Sequence, residues 1–337
     1  MRPIPLINAE HAVRVATLLD SLGVPADRYL ERARISPKVR EDPRGFLPGR
    51  SVWKLVGSAS RREGLDDFWL GVAGIAGWRG AGWAPPMARA VTLGDALRVM
   101  CRSYVRQIPM NELGLTRDGD VTWFWRRRVA DVHDWEGDEP AEQYTLSFML
   151  AVIREVAGPE WLPNRLQVES SARGWAASTR RLPGVRVAFG RPALAVAVPT
   201  PLLSAPFPAA TPRPTAEAEP PGASFEASLR QILRPWVTGR LLNQQLAAEL
   251  IWTSPRTLRR RLAEVGTTWH VLADELRFEH AVKRLEVGRH TVCEVAEELG
   301  YSDAAHFTRF FRRRAGVAPS TWRAEVARGR EAACPTR

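Results

Sequence analysis

Two segments, SPRTLRRRL at 254–262 and AAHFTRFFRRR at 304–314, set guanidinium groups at helical spacing opposite apolar side chains. Arginine carries five donors in a planar fork, which suits it to bidentate pairing with guanine or to gripping phosphate. On a 3.6-residue wheel Leu258, Leu262 and the following Val265 share one face of the first segment. Arg256, Arg260 and Ala263 lie opposite, with Thr257 and Arg259 on the flanks. In the second segment Phe307, Phe310 and Phe311 face inward, Ala305, Arg309 and Arg312 face outward, and Thr308 flanks them. A helix built this way docks its apolar side on its own domain and lays its cationic side in the major groove of double-stranded DNA. The exposed alanine permits close approach and can meet a thymine methyl. The residues expected to touch DNA are therefore Ser254, Arg256, Thr257, Arg259, Arg260, Ala305, Thr308, Arg309 and Arg312. A solvated arginine face is the plainer explanation for one such helix. Two copies of the same arrangement favour DNA, although neither says which arginine reads a base and which a phosphate.

Other chemistry is sparse. Cys101, Cys293 and Cys334 are odd in number, far apart and never a CxxC pair, which argues against a disulfide framework or a cysteine-built zinc site. His11 and His133 have no second ligand at useful spacing, so no metal and no cofactor are expected. No Ser-His-Asp or paired-carboxylate arrangement stands out, and GWRGAGW lacks the phosphate-cradling pattern and its lysine. The N-terminal two-thirds is rich in tryptophan. Ordinary core packing explains that. A sharper possibility is an aromatic effector pocket built from Trp78, Trp83, Trp123 and Trp125, with Glu142 and Tyr144 as polar partners.

The elements that must position these residues follow from periodicity and caps. AELIWTS at 248–254 aligns with AEELGYS at 296–302, offset by 48, so each arginine helix follows a short helix and a tight turn. That is the form of a helix-turn-helix, at about 243–265 and 291–315. Trp252 stands where the second copy has Gly300; a tryptophan fits there if the turn needs no positive φ. Asn243, Ser254, Thr268, Thr291 and Ser302 each precede a periodic segment and can cap it, Thr291 forming a capping box with Glu294. Gly288 and Gly300 stand where helices should stop. Between the copies runs a long helix with Val271, Phe278, Ala281, Val282 and Leu285 on one apolar face and Trp269, Leu272 and Leu276 on another. It would hold the two arginine helices at a separation matching adjacent major grooves, about 34 Å.

Six prolines between 206 and 224 mark a linker. Before it the signals mix: a capped helix from Thr92 and Asp95, a β-prone VTWFWRRRV, a largely buried helix ending at Gly158, and two short strands around a turn in RVAFGRPALAVAVP. The fold expected is α+β: a mixed α/β sensor and dimerisation domain over 1–205, a linker over 206–224, and an all-α DNA-binding domain over 225–330. The chain of 337 residues carries +11, and 225–337 holds nineteen Lys and Arg against thirteen Asp and Glu, a denser positive charge than the rest. No apolar run reaches the roughly 20 residues that span a bilayer, and the N-terminus acquires Glu10 and His11 too early for a secretory signal. A cytoplasmic, nucleoid-associated protein is expected.

At these residues the chain resembles the AraC-type family of bacterial transcription regulators. TSPRTLRRRLAEVGTTW is similar to that family's first helix-turn-helix, and VAEELGYSDAAHFTRFFRRRAGVAPSTWR to its second, including the Gly316-Val317-x-Pro319 turn and the Trp322-Arg323 pair. The stretches VTLGDALRVMCRSYVRQI, NELGLTRDGDVTWFW and VRVAFGRPALAVAVPTPLLSAPF resemble the arabinose-binding-type sensor domain found in a subset of the family. The resemblance implies sequence-specific binding to promoter DNA, recruitment of RNA polymerase, a small-molecule effector and a homodimer. A ligand-responsive activator, not an enzyme, is the function expected. Two rivals remain: a DNA-binding module fused to an alkyl-transfer repair domain, which needs a reactive cysteine, and an architectural DNA-binding protein without sequence preference.

Overall fold

The computed structural model describes residues 2–41, 43, 45–66, 68–81, 83–129, 137–208, 220–239, 242–287 and 290–333. His133, Gly288, Cys334 and the middle of the proline-rich stretch, 209–219, lie outside them. The backbone falls into two units, one of residues 5–221 and one of residues 222–337 with 1–4.

In the larger unit, β1 (Leu6–Asn8) and β2 (Phe46–Pro48) form an antiparallel pair that brackets α1 (Ala9–Ser21) and α2 (Ala26–Arg32). There follow α3 (Gly49–Glu63), α4 (Val72–Ala76) and α5 (Leu93–Gln107). The capping box heads α5 as expected, Asp95 N donating to Thr92 Oγ1 and Thr92 N donating to the Asp95 carboxylate. Next come β3 (Asn111–Asp118), β4 (Val121–Arg128), α6 (Asp138–Ala157), β5 (Arg165–Gln167), β6 (Arg186–Ala188) and β7 (Leu194–Pro199). The five later strands make one sheet in the order β3-β4-β7-β5-β6, antiparallel except for β5 beside β6. The unit is thus the mixed α/β domain the sequence predicts.

The two short strands expected around a glycine turn are β6 and β7, with Gly190 between them at φ 64°. β6 and β7 do not form a hairpin across their glycine turn; β5 lies between them. The reason is in the side chains. Leu194 to Val198 are buried at every position, which suits a strand covered on both faces. Arg186 to Ala188 are only partly covered, which suits an edge. Helix α6 is buried on nearly all sides from Ala141 to Leu150 and packs on α3 and α4, so it forms the spine of this core.

The smaller unit has helices and no strand among its described residues: α7 (Phe225–Leu233), α8 (Gln244–Leu250), α9 (Pro255–Glu264), α10 (Trp269–Val287), α11 (Val292–Glu298), α12 (Ala304–Ala315) and α13 (Pro319–Ala333). Along α10, Leu272, Ala273, Leu276, Ala281 and Leu285 are buried. Val271, expected on an apolar face, is 43% exposed. It lies in the first turn of α10, where the buried stripe passes through its neighbours Leu272 and Ala273 instead.

Candidate DNA interface and sensor cavity

In the first helix pair, Asn243 Oδ1 accepts from Leu246 N and caps α8. Ser254 Oγ accepts from Thr257 N and caps α9, with Pro255 in its first turn. The Ser254 and Thr257 hydroxyls also lie 3.0 Å apart, so each already has a partner within the protein. Leu258 and Leu262 are fully buried, whereas Val265 forms the C-cap and is half-buried. Arg256, Arg259 and Arg260 are exposed, and Arg260 is held at 2.8 Å by Glu264 one turn on.

The turn before α9 departs from expectation. Trp252 sits at φ 57°, and its counterpart Gly300 at φ 78°. The turn therefore does need a left-handed residue, and the first copy places a tryptophan there despite the steric cost.

In the second pair, Thr291 and Glu294 form the expected capping box on α11. Ser302 does not cap α12. Asp303 does, its carboxylate accepting from His306 N at 2.6 Å while Ser302 Oγ donates to it. The second copy is one residue longer here, and a carboxylate gains from the positive end of the helix; the bond from His306 N, helped by the Ser302 hydroxyl and nearby Arg309, depresses the Asp303 carboxyl. Phe307 and Phe311 are fully buried and Phe310 nearly so. Phe311 lies 5.1 Å from Phe278 and 6.0 Å edge-on from Trp322; Phe310 lies 5.5 Å from Tyr301. Opposite them Ala305, Arg309 and Arg312 are exposed and Thr308 half-buried.

Polar contacts lock the second helix pair to α10. Glu298, at the end of α11, pairs with Arg284 at 2.7 Å and with His280 at 3.2 Å. Arg323 donates to the His290 carbonyl, tying α13 to the start of the second pair. A groove of about 400 Å³ beside α12 is lined by Asp274, Arg277, Tyr301, His306, Arg309, Phe310 and Arg313. Of these, only Arg309 was nominated from sequence. Arg313 was legible, being one turn beyond Arg309 on the same side. Arg277, on α10, carried no sequence signal, because only tertiary packing brings it to α12.

The six residues expected to form an aromatic effector pocket are not brought to one place. Trp78 and Trp83 are core residues, stacked 6.1 Å apart with rings 12° from parallel. Trp83 meets Phe148 edge-on, and Trp78 Nε1 donates to Glu155. Trp123 and Trp125 leave β4 on the face opposite Phe124, which belongs to that core. There Arg165 covers Trp123 and Arg127 covers Trp125, while Gly114 lies directly beneath the Trp125 ring. Glu142 is spent on structure, accepting from Glu169 N, Ser170 N and Trp175 Nε1. Tyr144 lines a cavity, with His11 Nδ1 3.2 Å from its hydroxyl. Burial, followed by nearby Arg14, lowers the His11 pKa to about 3, and burial raises that of Tyr144.

Two family models match the chain. One, described as the N-terminal arabinose-binding domain of AraC transcription regulators, covers residues 23–207; the other, a helix-turn-helix domain, covers residues 247–325. The chain belongs to the AraC family. The ornithine utilization regulator of Pseudomonas aeruginosa is 30% identical over 338 residues, 94% of this chain and 96% of that one. The transcriptional regulator VirS of Mycobacterium tuberculosis is 25% identical over 333 residues, 95% and 96% of the two chains. Transcriptional regulator CdpR of P. aeruginosa, a solved structure, is 23% identical over 89% of this chain and 96% of its own, with a TM-score of 0.38, too loose a superposition to argue from.

As an AraC-type protein the chain is a DNA-binding transcription regulator with an N-terminal sensor domain. Among the described residues no helix is long and apolar enough to cross a membrane. Burial pushes the Cys101 thiol up to about 11, the reverse of the activation that an alkyl-accepting cysteine needs.

Proposed function

We propose that the protein is a ligand-responsive activator that reads two adjacent major grooves with α9 and α12. The observation that carries the reading is the two-sidedness of both helices. Leu258, Leu262, Phe307, Phe310 and Phe311 are buried, while Arg256, Arg259, Arg260, Arg309 and Arg312 on the other sides are exposed. Ala305 and Thr308 complete the α12 face, and Ser254 and Thr257 the head of α9. The sensor domain takes a small molecule, the active form is a homodimer, and the bound protein recruits RNA polymerase. It acts by binding rather than catalysis, in the cytoplasm at the nucleoid. The division that serves this mechanism is a sensor over 1–205, a linker over 206–224 and a DNA-binding domain over 225–330.

The test is to select a preferred site from random duplexes and measure affinity for it and for unrelated DNA at fixed salt. A specific regulator keeps a preference of about a thousandfold or more. Arg256→Ala and Arg309→Ala should each weaken specific binding by about 1–3 kcal/mol, five- to 150-fold. Unchanged affinity in both variants removes this face from DNA. Equal affinity for all duplexes makes the protein an architectural one.

A further inference from the structure

We propose that the cavity between α1, α3 and α6 is the effector site, and that its ligand is a small uncharged molecule with an apolar body and a head group that both donates and accepts hydrogen bonds. The proposal rests on the sensor reading above and gives that sensor a place and a ligand class. It also moves the site away from the tryptophans that the sequence favoured.

One wall of the cavity is aliphatic, with Val15 from α1 and Val52 and Val56 from α3. The other is polar and comes from His11, Tyr144 and Thr145. The polar side continues inward. The Tyr104 hydroxyl stands beside the Thr145 and Asn111 side chains. Asn111 is 1% exposed, and apart from this contact with the Tyr104 hydroxyl neither its amide nitrogen nor its amide oxygen has a hydrogen-bond partner. Gln107, whose neighbour Ile108 lines the cavity, is also buried and has an unpaired side-chain oxygen. Buried amides are almost always paired, and leaving one unpaired costs free energy. Concentrating that cost next to a cavity makes sense where a visiting molecule supplies the missing partners.

The charges nearby are already matched. Arg14 pairs with Glu10 at 2.9 Å, and Arg126 pairs through Nη1 with Glu169 at 3.0 Å, its buried Nε being left without a partner. His11 is neutral at physiological pH, since burial holds its pKa near 3. An ion entering this space would lose its hydration without gaining a counter-charge, so an uncharged ligand is preferred. The free space is only about 20 Å³, room for roughly one water. Any larger ligand has to part α1, α3 and α6. Occupation therefore changes the packing of the helix that forms the spine of the domain, which is what a sensor needs from its ligand.

The test uses the full chain and three probes of matched shape: butyramide, butyrate and butylammonium, at equal concentration and ionic strength. Butyramide should raise the melting temperature by about 2 °C or more at tens of millimolar, and the two ions should not. Asn111→Leu should abolish the response, and should raise the ligand-free melting temperature because the orphan amide is gone. Thr145→Val is the second variant, also expected to lose the response. No response to butyramide in the unaltered chain overturns the proposal, as does an equal response to the ions or an undiminished response in both variants. Affinity for the selected DNA site is measured on the same samples. Intact specific binding with no probe response removes only the cavity, whereas absent specific binding removes the regulator reading whatever the cavity does.

Discussion

His11 is the residue whose burial has the most direct consequence for pH. Its folded pKa of about 3 lies well below the ordinary 6.5. Between those values the unfolded chain takes up a proton that the folded chain refuses, so stability present above pH 6.5 is lost as the pH falls toward 3. His11→Gln keeps a partner for the Tyr144 hydroxyl and removes the titration. Denaturation at pH 7, 6 and 5 should show the unaltered chain losing up to about 1.4 kcal/mol per pH unit more than the variant. Equal slopes would mean that His11 is solvated. The paired turns make a second case at this scale. Gly300 and Trp252 both occupy left-handed backbone. Gly300→Ala should destabilise by about 1–2 kcal/mol, read as a lower melting temperature. The sequence showed the equivalence of the two positions, but φ alone revealed that a tryptophan bears the same conformation as a glycine.

At the scale of the element, the recognition helices are held by caps at their heads and rings beneath. The capping box of α11 satisfies two backbone donors, and Thr291→Ala should cost about 1 kcal/mol. A loss near zero would show α11 held by packing alone. Phe311 touches Phe278, Phe307 and Trp322, so it joins α12 to α10 and α13. Phe311→Ala should cost about 3–5 kcal/mol, and specific DNA binding should fall with the fraction folded. Here the sequence was a good guide. The apolar stripes of α9 and α12 were legible because side chains three and four apart share a face whatever the helix packs on. It failed where one residue of register mattered, at Ser302 and Asp303, and it was silent on the neighbours of β7, which are chosen by burial on both faces.

At the scale of the molecule, net charge of +11 acts on any polyanion. Affinity for unrelated duplex DNA should fall linearly in log salt, as counterions released by the arginines are recaptured. Arg313 stands beside Arg309 in the groove flanking α12. If it meets a phosphate, Arg313→Ala should lower the salt slope by about one and weaken all sequences alike, whereas Arg309→Ala should also relax base preference. A titration of both variants between 50 and 200 mM salt separates the two roles; an unchanged slope for Arg313→Ala excludes a phosphate contact there.

The sequence by itself determined the helical repeat, the caps at Asn243, Ser254, Thr291 and Thr92, and the opposition of arginine to phenylalanine. All of these depend on neighbours within a few residues. The tertiary structure decided the sensor. Trp78, Trp83, Trp123 and Trp125 look alike in sequence, yet two are core and two cover the far face of a sheet. The unpaired Asn111 amide and the cavity lined by His11, Tyr144 and Thr145 arise from α1, the start of β3 and α6, which are distant in the chain. Whether a polar side chain finds a partner depends on which distant groups packing brings within 3 Å, and no local pattern encodes that.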